Sequence, residues 1–137
     1  MKSSFKVNAS FHKKIKSLEE KALVGAKEQL TDIARSAVNF SPVDTGAYVT
    51  SFSYTVGAGR PRGKDSANRP TASSPEGQMD EGFSNLMEDL SRAKSLEDLD
   101  QITLRNGSPH ASDVEYGEEW HKTQGYFVFA QLRNLYG

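Results

Sequence analysis

The sequence predicts an α+β fold in which a long N-terminal helix packs on a small, mainly antiparallel sheet, with an inserted helical segment and a C-terminal helix. Apolar residues recur every three or four positions over residues 8–39, which is the period of an amphipathic helix. Residues 48–56 alternate with a period of two and are rich in aromatic and β-branched types, as in a strand. Helical patterns return after a polar stretch at residues 57–78. At 137 residues, the chain has the length of a single α+β domain spanning 1–137.

The first helix is predicted from an apolar stripe that ends just before a proline. Ser10 or Asn8 can cap its start, and Pro42 disfavours a helical conformation at Ser41. At about 1.5 Å per residue, roughly thirty helical residues measure about 45 Å, which exceeds the width of a compact domain of this size. We therefore expect either that part of the helix lies against another subunit or that it breaks near Gly25. The stripe consists of Phe11, Ile15, Leu18, Ala22, Ala26, Leu30, Ile33 and Ala37.

A tight structural turn is predicted directly after the helix, in the segment SPVDTG at residues 41–46. Pro42 presets its backbone φ angle, Asp44 can accept backbone N–H hydrogen bonds, and Gly46 can adopt a positive φ. The chain then reverses into the strand. We predict that Gly46 has a backbone conformation that is costly for any residue with a side chain.

Residues 57–78 are predicted to form a long exposed loop, because they contain four glycines and three prolines and hardly any apolar side chains. Four basic side chains make this loop a positively charged arm. Such an arm can contact DNA phosphates without reading sequence, or it can dock on an acidic patch of a neighbouring protein. We favour contact with protein. The basic residues are Arg60, Arg62, Lys64 and Arg69.

A second amphipathic helix is predicted to begin near Met79 and to end near Lys94. Its apolar residues share one face, and its acidic residues lie elsewhere on its surface. We expect these acidic residues to form an interface with a basic surface. They are Asp80, Glu81, Glu88 and Asp89.

Three shorter elements are predicted to complete the fold. A short helix capped by Ser95 leads into a strand over residues 102–104. The segment SPHASDVEYG at residues 108–117 is interpreted as a helix that Gly117 terminates. The final segment, residues 124–137, has apolar residues on one helical face, although its first half is also compatible with a buried strand. We favour the helix.

The net charge of −1 conceals a strong separation of charge along the chain. Residues 1–75 carry 12 basic and 6 acidic side chains, whereas residues 76–120 carry 3 basic and 12 acidic ones. The basic part of one copy can therefore meet the acidic part of the next, which favours self-association over general nucleic-acid binding. The alternative is a pair of solvated faces without a partner.

No residue pattern in the chain indicates an enzyme, a cofactor, a metal ion or a membrane-spanning segment. The chain has no cysteine, so it lacks thiolate metal ligands and a thiol nucleophile. No GxSxG motif organises its serine, histidine and aspartate residues into a nucleophilic triad. An acidic cluster at residues 113–119 lacks the spacing of a calcium loop, and we interpret it as the rim of an interface. We therefore predict a protein that is not an enzyme and holds no cofactor.

Three segments of the chain occur in an order that is typical of one protein family. A long amphipathic helix runs into SPVDTG and a strand, SPHASDVEYG follows, and QGYFVFAQ at residues 124–131 comes last. This order resembles the head–tail junction and tail-completion proteins of tailed bacteriophages. In that family a helix leads into a P-V-D-T-G turn, and a P-Y-A-x-x-V-E-Y-G-like segment precedes a glycine-containing terminal element. The sequence departs from that pattern at His110, where an aromatic residue is commoner, and in the long segment 57–101.

The resemblance implies a virion structural protein of the phage neck or tail end, which forms a homo-oligomeric ring that joins head to tail and lets DNA pass. It implies assembly in the host cytoplasm, a hexamer as the first expectation, and contacts with neck, portal-side or tail-tube proteins. A ring needs two complementary surfaces on each copy, and the separated charges are able to supply them. Two other hypotheses stay open: a small nucleic-acid-associated binding module with a basic arm, and a small hydrolase that uses His110 or His121.

Overall fold

The long first helix is continuous and ends where the proline predicts. Helix α1 spans Ala9–Phe40 and does not break at Gly25. The Ser41 hydroxyl follows the last turn and donates a hydrogen bond to the carbonyl oxygen of Ala37 at 2.6 Å. The computed structural model describes residues 9–43, 46–57, 59–62, 70–118 and 123–137.

The two halves of α1 differ in burial. Residues 12–22 are all exposed, and Leu18 and Val24 leave 65 % and 57 % of their surface open. From Leu30 onward the helix enters the core, where Ala37 is completely buried. The N-terminal half of α1 therefore presents apolar side chains to solvent in the described part of the chain.

The strand after the turn begins four residues later than its sequence pattern predicts. A 3-10 turn spans Val49–Ser51, and β1 spans Phe52–Val56. The Thr50 hydroxyl donates to the carbonyl oxygen of Gly46 at 2.6 Å. A side-chain bond to the backbone four residues earlier favours a helical turn over extended chain. The prediction of a strand over residues 48–56 is therefore wrong for its first four residues.

The sheet is small and antiparallel, as the sequence predicts. Strand β2 spans Ile102–Asn106 and pairs with β1, with Tyr54 opposite Leu104. A second antiparallel pair joins β3, Gly117–Glu118, to β4, Thr123–Gln124. The α+β class with a long N-terminal helix is thus confirmed.

Four further helices follow α1 among the described residues. They are α2 at Pro75–Ser91, α3 at Leu96–Asp100, α4 at Ala111–Tyr116 and α5 at Val128–Tyr136. Helix α5 shows that the C-terminal segment is helical from Val128 onward and does not form the alternative strand. None of the helices within the described ranges has the length and apolar content needed to span a bilayer.

Helix α2 begins earlier than predicted, because Ser74 caps it. The Ser74 side chain accepts a hydrogen bond from the backbone N–H of Gly77 at 3.0 Å, and Pro75 occupies the first helical turn. Serine at the N-cap followed by proline is a favourable helix start. The long loop predicted over residues 57–78 therefore ends at Ser74, and its last four residues are helical.

The core lies between the C-terminal half of α1, helix α2, the sheet and α5. Phe52 of β1, Leu86 of α2 and Val128 of α5 are completely buried. The Phe52 ring meets Tyr48 edge-on with ring centroids 5.2 Å apart, and the Phe129 ring lies 6.1 Å away. Aromatic pairs of this geometry add to the free energy of burial.

Two buried tyrosines differ in the hydrogen bonding of their hydroxyl groups. Tyr54 donates to the carbonyl oxygen of Leu30 at 2.6 Å, whereas the Tyr48 hydroxyl makes no hydrogen bond with any described residue. Burial raises the pKa of both hydroxyls well above the usual value, and the charge of Glu115 raises the Tyr48 pKa further.

We expect Tyr48→Phe to leave the free energy of unfolding unchanged or slightly higher, because it removes a buried hydroxyl that has no partner. Tyr54→Phe should lower that free energy by about 0.5–1.5 kcal/mol. Urea unfolding of both variants and the parent at neutral pH measures these differences.

The two tyrosines also predict how the stability of the protein depends on pH. Both folded-state pKa values exceed the unfolded value of about 10, so the parent should lose stability as the pH rises above about 10. Urea unfolding at neutral pH and at about pH 11 measures this loss of stability. If the free energy of unfolding fell as steeply with pH in the two phenylalanine variants as in the parent, the buried tyrosines would not be its cause.

Candidate interaction surfaces

The SPVDTG corner and the SPHASDVEYG segment lie on either side of a small cavity, and hydrogen bonds join the residues that flank them. The Asn106 side-chain amide donates to the carbonyl oxygen of Tyr48 at 2.8 Å, and the Gly107 N–H donates to that of Ser51 at 3.1 Å. These bonds join the residues that precede SPHASDVEYG to those that follow SPVDTG. A cavity of about 300 Å³ separates the two segments and is lined by Pro42, Gly46, Ala47, Tyr48, Ser108, His110 and Val114.

Gly46 and Gly117 both occupy the left-handed region of backbone conformation. Gly46 has φ 81° at the corner, and Gly117 has φ 84° where α4 ends. A Cβ atom on Gly46 would lie 2.6 Å from Cδ of Gln78 and 2.8 Å from Cγ of Pro70. The predicted turn residue Asp44 lies outside the described residues, and Pro42 is partly buried beside the corner.

Gly46→Val should lower the free energy of unfolding by roughly 1–3 kcal/mol, because valine is strained at this positive φ and crowds two neighbours. Gly57→Val is the matched control. Gly57 has φ 64°, but among the described residues a Cβ atom there would meet only Gln101 Oε1, at 3.9 Å. Thermal unfolding should therefore rank Gly46→Val below Gly57→Val, and equal midpoints would show that crowding at the corner is unimportant.

The SPHASDVEYG segment also holds the start of α5. The carboxylate of Glu115, a residue only 6 % exposed, accepts hydrogen bonds from the N–H groups of Phe129 at 2.9 Å and Ala130 at 3.1 Å. A carboxylate satisfies the free N–H groups of a helix N-terminus and complements its dipole. The Tyr126 N–H donates to the carbonyl oxygen of Val114 at 2.8 Å and adds a backbone link.

The interpretation of the acidic cluster as an exposed rim is therefore wrong for Glu115. A signal for this role was present in the sequence, because no serine, threonine, aspartate or asparagine precedes α5 to cap it. The amides of its first turn consequently need an acceptor from elsewhere in the chain.

Arg62 and Asp89 form a buried ion pair, so two of the predicted interface residues are internal to the fold. The guanidinium binds the carboxylate through two contacts, Nη1 to Oδ2 at 3.1 Å and Nη2 to Oδ1 at 2.9 Å. The Asp89 side chain is 6 % exposed and that of Arg62 is 24 % exposed. The prediction that Asp89 is exposed is wrong. An interface or DNA-facing role for the part of Arg62 that stays exposed remains a prediction.

The reason for this pair is the open edge of β1. Arg62 Nη1 donates to the carbonyl oxygen of Phe52 at 2.9 Å, and Asp89 Oδ2 accepts from the N–H of Tyr54 at 3.1 Å. Both backbone groups belong to β1 and bond to these side chains instead of to another strand. A strand edge exposes such groups, and a buried edge requires partners for them.

The other predicted interface residues are divided between exposed and structural positions. Asp80 and Glu88 are exposed on α2, whereas Glu81 is partly buried and accepts from the N–H and the hydroxyl of Thr71 at 3.1 and 2.9 Å. Arg60 is exposed, and Lys64 and Arg69 lie outside the described residues.

A depression between the C-terminal end of α1 and the first turns of α2 combines apolar and charged side chains. Its volume is about 190 Å³. The Arg35 guanidinium stacks on one of its walls, 4.3 Å from the centre of the Phe83 ring. We call it the α1–α2 groove, and it is lined by Arg35, Val38, Asn39, Glu76, Met79, Asp80 and Phe83.

Residues considered for a hydrolase make contacts that support the backbone. The Ser108 hydroxyl accepts from the His110 N–H at 3.2 Å. His110 Nδ1 lies 4.0 Å from Asp113 Oδ2, with both side chains half or more exposed. His121 lies outside the described residues. Within the described ranges, no group of three or more His, Asp or Glu side chains is placed to hold a metal ion.

Comparison of the chain with models of protein families, with curated proteins and with solved structures found no match. The function is therefore inferred from the residues and contacts of the chain itself.

Proposed function

We propose that this chain is a virion structural protein of the neck or tail end of a tailed bacteriophage. In this role it assembles into a ring that joins head to tail and through which the DNA passes. Its work is assembly with copies of itself and with neck, portal-side or tail-tube proteins, and no catalytic step is part of the proposal.

The observation that carries the proposal is the convergence of the three segments that resemble the phage family. The first and second are separated by tens of residues, yet Asn106 and Gly107, which directly precede the second, donate hydrogen bonds to the backbone of Tyr48 and Ser51, which follow the first. The carboxylate of Glu115 then connects the second to α5, which belongs to the third. Residues that share a family pattern and form one connected framework are what a common fold requires.

The exposed half of α1 supports an assembling role. Ile15 and Leu18, which are three residues apart and share one side of the helix, leave 38 % and 65 % of their surface open. Single exposed apolar residues are normal, whereas neighbouring ones on one side of a helix are suited to contact with another molecule.

The nucleic-acid-binding alternative is weakened by the structure. It depends on a basic arm of four cations, and Arg62 is committed to Asp89 inside the fold. Arg60 is exposed near the same strand.

Deletion of the gene in the phage or prophage that encodes the chain tests the proposal. We expect filled heads and separate tails to accumulate without joining, and infectivity to fall by several orders of magnitude. Supplying the parent protein in trans should restore joined particles. Antibody labelling of purified particles should place the protein at the neck or the tail end.

Two results would overturn the proposal. One is a normal yield of joined, infectious particles from the deletion. The other is the absence of the protein from purified particles that contain every other structural component, as measured by mass spectrometry.

A further inference from the structure

The N-terminal half of α1 has a face on which lysines flank an apolar residue. Lys14, Leu18 and Lys21 follow one another at spacings of four and three, which places them on the same side of the helix. All three residues are exposed, and Ile15 extends the apolar part of the face with 38 % of its surface open. We call this surface the basic stripe.

The α1–α2 groove has the opposite character. Val38, Met79 and Phe83 supply its apolar lining, and Glu76 and Asp80 supply exposed carboxylates. The Arg35 guanidinium, which stacks on Phe83, offsets one of the two carboxylates, so the lining keeps a net negative charge. An apolar side chain flanked by ammonium groups is complementary to an apolar depression beside carboxylates, in charge as well as in hydrophobic character.

The two surfaces cannot meet within one copy of the chain. Leu18 of the basic stripe and Asn39 of the groove lie on the same continuous helix, α1, 21 residues apart. A rise of about 1.5 Å per residue separates them by about 32 Å. Their complementarity is therefore available only to different copies.

We infer that the basic stripe of one copy docks in the α1–α2 groove of the next copy, with Leu18 in the apolar depression and Lys14 and Lys21 near Glu76 and Asp80. The inference rests on the proposed ring and names its subunit contact. Because the two surfaces differ, the contact is head-to-tail, and such contacts close into a ring when the rotation per subunit divides a full turn.

A charge exchange tests the contact. One variant carries Lys14→Glu and Lys21→Glu, a second carries Glu76→Lys and Asp80→Lys, and a third carries all four changes and keeps the parent net charge of −1. We expect each of the first two variants to self-associate about tenfold or more weakly than the parent, because each opposes like charges. The third variant should recover the parent's association, since its charges are exchanged and again opposite.

The measurements are sedimentation velocity and native mass spectrometry, with circular dichroism and thermal unfolding of every variant as the control for folding. Parent-like association of either two-residue variant would overturn the contact. Failure of the four-residue variant to recover while it remains folded would overturn it as well. If Glu76→Lys unfolds the first turn of α2, the same comparison is made with Lys14→Glu alone, Asp80→Lys alone and the two changes together.

Cross-linking gives a second test that needs no charge change. The chain has no cysteine, so Ser17→Cys, at an exposed position beside Leu18 that keeps the anchoring leucine, with Asn39→Cys introduces the only two thiols. Cα atoms joined by a disulfide are at most about 7 Å apart, so these thiols cannot pair within one copy. A short bifunctional thiol reagent should produce a ladder of covalent multimers from the double variant and no product larger than a dimer from either single variant.

The outcomes separate this contact from the proposed function. If the parent associates but the double variant gives only dimers, the contact is wrong and the ring stands. If the parent does not associate at any attainable concentration, the inferred contact between copies is overturned. The proposed function is then still tested by antibody labelling of the particles. Loss of head–tail joining by both charge variants, with recovery by the four-residue variant, would support both.

Discussion

Asp89→Ala is expected to lower the free energy of unfolding by about 3–5 kcal/mol, the largest effect of any single polar substitution considered. The change leaves the Arg62 guanidinium, which is three-quarters buried, without its carboxylate. It also removes the acceptor of the Tyr54 N–H on the edge of β1. Loss of one partner of a buried pair costs more than the pair itself contributes, because the remaining charge stays buried and unpaired.

The neighbouring residue supplies the control for Asp89→Ala. Glu88 is 64 % exposed and contacts Arg92 at 3.3 Å, so Glu88→Ala should change the free energy of unfolding by no more than about 0.5 kcal/mol. Urea unfolding followed by circular dichroism measures both variants. Adding Arg62→Ala to Asp89→Ala should recover part of the loss, since no buried charge then remains. Equal urea midpoints for Asp89→Ala and Glu88→Ala would refute the structural role of the ion pair.

Gly125→Ala is expected to cost roughly 3 kcal/mol or more, although it adds a single methyl group. A Cβ atom at this position would lie 2.6 Å from the carbonyl carbon of Tyr116 and closer still to the carbonyl oxygen of Glu115. Both are backbone atoms at the end of α4, so no side-chain rotation relieves the overlap. Relief requires α4 and the chain before α5 to separate, which weakens the Tyr126 to Val114 hydrogen bond.

Gly25→Ala is the matched control, because the same methyl group there meets no atom of the described part of the chain within 4 Å. Gly25 is exposed inside α1, where alanine is favoured over glycine by about 0.8–1 kcal/mol. Thermal unfolding should therefore show a raised midpoint for Gly25→Ala and a strongly lowered one for Gly125→Ala. A Gly125→Ala variant as stable as the parent would show that the close approach of the two segments is not required.

Helices and turns whose conformation depends on residues close together in the chain can be predicted from the sequence. The period of α1 extends over about thirty residues and stops at Pro42, so helix and end point followed from local preferences. The order of Ser74 and Pro75 indicates a helix start at this point. The polar composition of residues 57–78 nevertheless favours a loop, so the sequence predicts a later start for α2. Strand β1 begins later than the β-favouring residue types predict, because the Thr50 hydroxyl donates a hydrogen bond to the carbonyl oxygen of Gly46 and stabilises a turn.

The chain's own sequence determined the α+β class, the long first helix, the glycine positions at the turns and the separation of basic from acidic segments. Each of these depends on residue type and short-range spacing, which need no knowledge of the fold. Only the tertiary structure decided that Arg62 and Asp89 pair inside the protein, that Glu115 caps α5, and that acidic and apolar side chains share a groove. Residues far apart in the chain make these contacts, so their burial and charge pairing depend on how the helices and the sheet pack together.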